Sequence, residues 1–164
     1  MRSRNATQKL LALATLGFGC FVVTGQQPSP AGVFTAAQAE AGKAAYERTC
    51  GKCHTYRLLG RSGQEGELPP VSTLPASYQK FMGNPVHVPP LVGKVFLSRW
   101  GQRTAAGLIA RFQDTAGDPF FQFEDMNDDT VVNITAYVLQ MNGAKPGTQP
   151  LTHMTKAVVN DIVQ

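Results

Sequence analysis

The chain has 164 residues, 43% of them apolar and 16% charged, with 15 Lys and Arg against 11 Asp and Glu. That length suits one small domain with a modest core. The formal surplus of +4 is misleading, because Arg2, Arg4 and Lys9 form a basic cluster at the start and 12 bases against 11 acids remain beyond it, a balance that does not point to the basic face wanted for nucleic-acid binding.

Those three bases are followed by Leu10 to Val23, apolar apart from small residues and Thr15, and then by Gln26, Gln27 and Ser29 with Pro28 and Pro30. This is the layout of a secretory signal, and the apolar run is too short for a comfortable membrane span. Small residues at Val23-Thr24-Gly25 predict cleavage after Gly25, leaving 26–33 as a linker. Two alternatives stay open: an uncleaved anchor, or lipid on Cys20. Phe18 and Gly17 fit a lipidation site poorly. After cleavage no stable membrane insertion is expected, and the location is periplasmic or secreted.

From Phe34 to Cys50 the chain is rich in strong helix formers with an apolar stripe. Thr35 is placed as N-cap, and Gln38 three residues on completes a capping box. The helix runs into Cys50-Gly51-Lys52-Cys53-His54, two cysteines two residues apart with histidine next, the attachment pattern of a c-type haem. Each thiol can add across one porphyrin vinyl group, and His54 is placed to bind the iron as a neutral imidazole. A zinc site would need two further ligands from His87, His153 and Cys20, and a redox dithiol would need a βαβ setting that the chain does not offer. With Cys20 in the signal and two cysteines used by one covalent haem c, no disulfide is expected, although an exported compartment permits one.

Gly60 to Pro90 is dense in Gly, Pro and Ser and reads as loop. A short helix is expected over Lys94 to Trp100 and another over Thr104 to Gln113, with Leu108, Ile109 and Phe112 on one side. Asn127 caps a last strong helix over Asp128 to Met141, with acids at its start and Asn142-Gly143 to stop it. No alternating strand pattern of useful length occurs. The tail from Lys145 reads as loop with a loosely held helix near Met154 to Val163. Gly42 and Tyr46 on the first helix, and Ala136 and Tyr137 on the last, pair a small residue with an aromatic. That pattern lets two helices cross closely and brace the loop that carries Cys50, Cys53 and His54.

The chain resembles a class I monohaem cytochrome c, most of all the periplasmic cytochromes that partner quinoprotein alcohol dehydrogenases. The likeness rests on residues 38–46 (QAEAGKAAY), the haem motif, Val88-Pro89-Pro90-Leu91-Val92-Gly93 with Phe96 and Trp100, and residues 136–143 (AYVLQMNG). It implies an all-α fold of about four to five helices wrapped on one haem, with a domain over 34–145 and a tail over 146–164. It implies electron transfer between redox proteins, a quinoprotein dehydrogenase being one candidate donor. By the same resemblance Pro90 corresponds to a proline whose carbonyl accepts a hydrogen bond from the histidine ligand; Trp100 and Tyr56 are candidates for hydrogen-bond donors in the haem environment or else core residues.

The resemblance fails at the loop before the last helix, where the family carries an axial methionine. Here residues 114–125 read DTAGDPFFQFED and hold no strong iron ligand. The sixth position is then filled by Met126, by Met82 or by His87, or it is open. Met126 doubles as an apolar residue packing against the first turn of the helix, Met82 as a gap-filler, and His87 lies close to the proline segment of the proximal side. Met141, His153 and Met154 are read as core or surface. A filled sixth position suits an electron carrier rather than an enzyme. An open one suits a haem subunit or a protein that responds to gases or peroxide. Neither a distal acid–base pair, nor paired carboxylates, nor an activated nucleophile is evident. Asp125, Asp128 and Asp129 lack the spacing of a calcium loop and serve the helix N-terminus. Arg57, Arg61 and Arg99 are candidates for haem propionates or plain surface residues.

Overall fold

A computed structural model describes residues 32–61, 69–80, 87–118 and 123–163. The segment read as a signal, with Cys20, most of the expected linker and Met82 lie outside these residues. The described part is all-α. Seven helices occur in it: α1 (Ala36–Arg48), α2 (Gly51–His54), α3 (Ala76–Gln79), α4 (Gly93–Trp100), α5 (Ala105–Ala116), α6 (Asp128–Met141) and α7 (Val159–Ile162), with a 3-10 turn at Val71–Thr73. Extended pairing among the described residues is confined to isolated bridges, among them Thr35 with Gly147, Arg61 with Val88 and Thr104 with Val158.

Helix α6 is the central element. Asn127 Oδ1 accepts from Thr130 N at 2.9 Å, and Asp128 and Asp129 stand in the first turn, where the helix dipole favours negative charge. Eight of its fourteen residues are buried, so it is flanked on more than one side. Helix α1 packs across one face and α5 along another. The start of α1 carries the expected capping box, with Thr35 Oγ1 accepting from Gln38 N at 3.2 Å and Gln38 Oε1 accepting from Thr35 N at 3.1 Å.

The α1–α6 crossing is the close one that the small residues announce. A Cβ added at Gly42 would run into the Asn133 carbonyl of α6. Beside this contact Tyr46 and Tyr137 pack with ring centroids 5.4 Å apart, inclined at 56°. Phe34, Phe96, Leu108, Ile109, Leu139 and Leu151 complete one large apolar cluster around the crossing. A second, smaller cluster holds Cys53, Val71, Leu74 and Val88 with Tyr78 against it.

Three sequence expectations need correction. Helix α5 extends to Ala116, three residues beyond Gln113. The segment read wholly as loop contains the 3-10 turn and α3, because Val71 and Leu74 bury against Cys53 and Pro75 stands at the start of a helical turn. The tail is not loosely held. Its helix is only one turn, Val159–Ile162, but Leu151 and Val159 are core residues. Gln38 binds Leu151 through both ends of its amide, donating to the carbonyl at 3.0 Å and accepting from the N–H at 2.8 Å. The carbonyls of Ala157 and Thr155 accept from the N–H groups of Ala105 and Ala106 at 2.8 and 2.9 Å. Those are first-turn donors of α5, which have no partner inside their own helix. Thr104 Oγ1 serves a third, on Gly107, at 3.1 Å.

Candidate functional site

The cysteine–histidine motif forms a single helical turn at the end of α1. Cys53 N and His54 N both donate to the Cys50 carbonyl, at 3.1 and 2.9 Å. Spacings of three and four residues put Cys50, Cys53 and His54 on one side of that turn. The thiols face different surroundings: Cys50 packs against the large cluster, and Cys53 belongs to the small one. The motif therefore lies on the seam between the two apolar clusters. Burial raises the pKa of both thiols, opposed at Cys50 by the Thr49 hydroxyl, 3.7 Å from its sulfur, and at Cys53 by the charges of Arg61 and Lys52.

The histidine is fixed by a strap that the chain brings back from residue 88. Gly60 N donates to the His54 carbonyl at 2.9 Å, and Gly60 takes φ +74 with its α-carbon against the Val88 carbonyl, where a Cβ would not fit. Arg61 and Val88 exchange both backbone bonds, at 3.0 and 3.1 Å, and Leu91 N donates to the Leu58 carbonyl at 2.8 Å. These bonds set the Pro89 carbonyl 2.8 Å from His54 Nδ1. A carbonyl only accepts, so Nδ1 carries the proton and Nε2 keeps its lone pair. Burial depresses the imidazole pKa, partly offset by this bond, so the ring is held neutral. The accepting carbonyl is that of Pro89, one residue before the expected Pro90, because the Arg61–Val88 pairing sets the register.

The strap is anchored at its other end by Asn142. Its Nδ2 donates to Leu91 O at 2.9 Å and its Oδ1 accepts from Gly93 N at 3.0 Å, so the end of α6 holds the start of α4. Sequence reading took Asn142 only as a helix stop and gave Arg61 no specific partner. Neither belongs to a periodic pattern, and each acts through a contact distant along the chain. On the other side, Tyr46 Oη donates to Thr55 O at 2.8 Å, joining the motif to the helix crossing as the small-residue pattern led us to expect.

A cavity of about 650 Å³ opens beside the motif, lined by Arg48, Thr49, Lys52, Tyr78, Phe123 and Asp125 among others. Its volume falls within the range of small-molecule and cofactor sites. It borders the large cluster through Ala45 and the small one through Tyr78.

Of the other residues singled out, Met126 is half-buried and packs against the large cluster, while its neighbour Asp125 lines the cavity. Trp100 is half-buried against the same cluster, with the Arg103 guanidinium 5.9 Å from its ring centre. His87 is exposed at the start of the strap. Met141, His153 and Met154 are exposed. Among the described residues no three His, Cys, Asp or Glu side chains come together as ligands of one metal ion, and no helix is long and apolar enough to cross a membrane. Compared with family models, curated proteins and solved structures, the chain has no significant match to any.

Proposed function

We propose that the chain is an exported electron carrier of the class I cytochrome c type, holding one covalent haem c through Cys50 and Cys53 with His54 as proximal ligand. The observation that carries this reading is the pairing of a Cys-x-x-Cys-His turn with a Pro89 carbonyl that takes the Nδ1 proton. An iron ligand must present an unprotonated nitrogen in a fixed direction, and His54 does so with Nε2. The donor set also fits the group. Two thiols and an imidazole share one side of a helical turn, but they do not converge as ligands of a single ion would. They serve different atoms of a large planar molecule, and the turn that bears them touches apolar side chains of both clusters.

When bound, the haem supplies a one-electron couple at its iron. The chain's own residues hold and shield it. Cys50 and Cys53 anchor it, His54 is oriented by Pro89, and the Tyr46–Thr55 bond together with the Asn142 bracket keeps the turn and the strap from moving apart. A rigid mount of this kind keeps reorganisation small, which favours simple electron transfer. The donor and acceptor are redox proteins, a quinoprotein dehydrogenase among the candidates, and the site of action is the periplasm or the exterior.

A second reading, a haem protein with an open sixth position, draws support from Met126, which packs into the large cluster rather than lining the cavity. Expression with a haem-attachment system, followed by intact mass and spectra, tests both. A chain lacking residues 1–25 and carrying one haem, low-spin in both oxidation states and indifferent to carbon monoxide, supports the carrier. Tight carbon monoxide binding by the ferrous protein moves the reading to the open site. Substituting Met126 and Met82 singly by alanine then identifies the ligand, since removing the true one creates that binding. Absence of covalent haem refutes both readings.

A further inference from the structure

One charged side chain at the motif meets no carboxylate among the described residues. Arg61 stands on the strap, paired through its backbone with Val88. Its side chain reaches back to the motif: one terminal nitrogen donates to the Lys52 carbonyl at 2.8 Å and the other to Thr73 Oγ1 at 2.9 Å. Thr73 in turn donates to the Pro70 carbonyl at 2.7 Å. Arg61 thereby stitches together all three segments of the small cluster: the turn bearing Cys53, the 3-10 turn with Val71, and the strap at Val88. Its Nε is sealed from solvent and has no hydrogen-bond partner. All the acceptors that it meets are neutral oxygens, and no carboxylate pairs with it among the described residues.

A half-buried cation of this kind is costly unless something negative, or something whose charge can change, lies near. Serving Cys53 by a neutral clamp would need no charge; a glutamine reaching Lys52 would do. We infer that Arg61 is a positioning residue that also acts as a fixed positive charge on the haem site, setting the reduction potential upward by favouring the ferrous over the ferric state. The inference rests on the haem reading proposed above. The physical basis is Coulombic. Reduction removes one positive charge from the iron, and a cation fixed beside it, with its Nε sealed from solvent, favours that loss. The fork to Lys52 and Thr73 fixes the charge at the motif rather than letting it swing away, where screening over distance would weaken its effect.

The test uses the full-length holoprotein and three forms: wild type, Arg61→Lys and Arg61→Gln. Covalent haem is first established by mass in each, and the midpoint potential, the ferric spectrum and the urea midpoint are then recorded. The expected result is a lower potential for Arg61→Gln, a potential for Arg61→Lys much closer to wild type, and an unchanged low-spin spectrum in both. The urea midpoint should fall in both, because both lose the two-pronged fork. Equal shifts of potential in the two variants would mean that the clamp alone matters and would overturn the electrostatic role. So would an unchanged potential in Arg61→Gln. Wild-type protein without covalent haem would instead overturn the function reading itself, a failure recognisable before any variant is measured.

Discussion

The residue that follows the histidine is under strain. Thr55 adopts φ 63 and ψ 159, a region open to glycine and unfavourable to a β-branched side chain. Its hydroxyl is buried without a partner. The conformation persists because its surroundings over-determine it: Tyr46 Oη and Leu58 N both donate to the Thr55 carbonyl, at 2.8 and 3.1 Å, and Leu58 is fully buried. The strain lets the chain reverse immediately after His54 and return to the strap. Thr55→Gly should therefore stabilise the folded protein by about 1 kcal/mol, relief of strain and of the orphan hydroxyl exceeding the added chain entropy of about 0.5–1 kcal/mol. Urea denaturation at equilibrium checks this, and a lower midpoint would show that the threonine methyl packs more usefully than its backbone suggests. Tyr46→Phe keeps the ring against Tyr137 but deletes the bond to Thr55, so a loss of about 1 kcal/mol is expected by the same measurement.

Among the elements, α1 and α6 were readable from sequence because each carries its own boundary chemistry. Thr35 with Gln38, and Asn127 with two acids, are local signals, and the apolar positions between them match the burial. Gly42 gave away the crossing for a physical reason too, since only a residue without a side chain lets the backbones meet. Gly42→Ala should push α1 from the Asn133 carbonyl and cost about 1–3 kcal/mol, despite the better helix propensity of alanine. A thermal melt that rises instead would mean that the crossing is loose. What the sequence hid were the contacts made by lone polar groups and by backbone. Nothing in the residues 150–160 says that two of their carbonyls will close the first turn of α5, because any residue has a carbonyl. Similarly, Pro89 and Pro90 are indistinguishable until the Arg61–Val88 pairing fixes which one faces His54. Ending the chain at Gln149 tests the tail. It removes Leu151 and Val159 from the core, each worth about 1.5–3 kcal/mol, and strips partners from Ala105 and Ala106. A loss of at least ~3 kcal/mol in urea denaturation is expected, with α5 the first segment to gain amide exchange.

At the scale of the whole molecule, the described residues form two apolar clusters of unequal size with the Cys-x-x-Cys-His turn between them. The large one, built on α1, α5 and α6, is continuous and carries most of the buried side chains. The small one has four buried members and leans on Cys53 itself. A cluster that small cannot offset the chain entropy of the segments that form it, at roughly 1–2 kcal/mol per ordered residue. The strap at 87–91 is held by its bonds to Arg61, Leu58 and Asn142, and Arg61 ties Thr73 to it; a haem covalently attached at Cys50 and Cys53 would brace residues 69–80 and 87–91 further by adding a broad apolar face to both clusters at once. Cys50→Ala combined with Cys53→Ala removes the attachment while leaving every helix former intact. The expected product is haem-free, with a broad, uncooperative thermal transition and early amide exchange throughout residues 69–80 and 87–91. Intact mass, calorimetry and hydrogen exchange check the three parts separately. If the double variant melts cooperatively with residues 69–80 and 87–91 protected, the clusters are self-sufficient and a haem would be cargo rather than core. If it carries covalent haem regardless, the attachment chemistry lies elsewhere than in this turn.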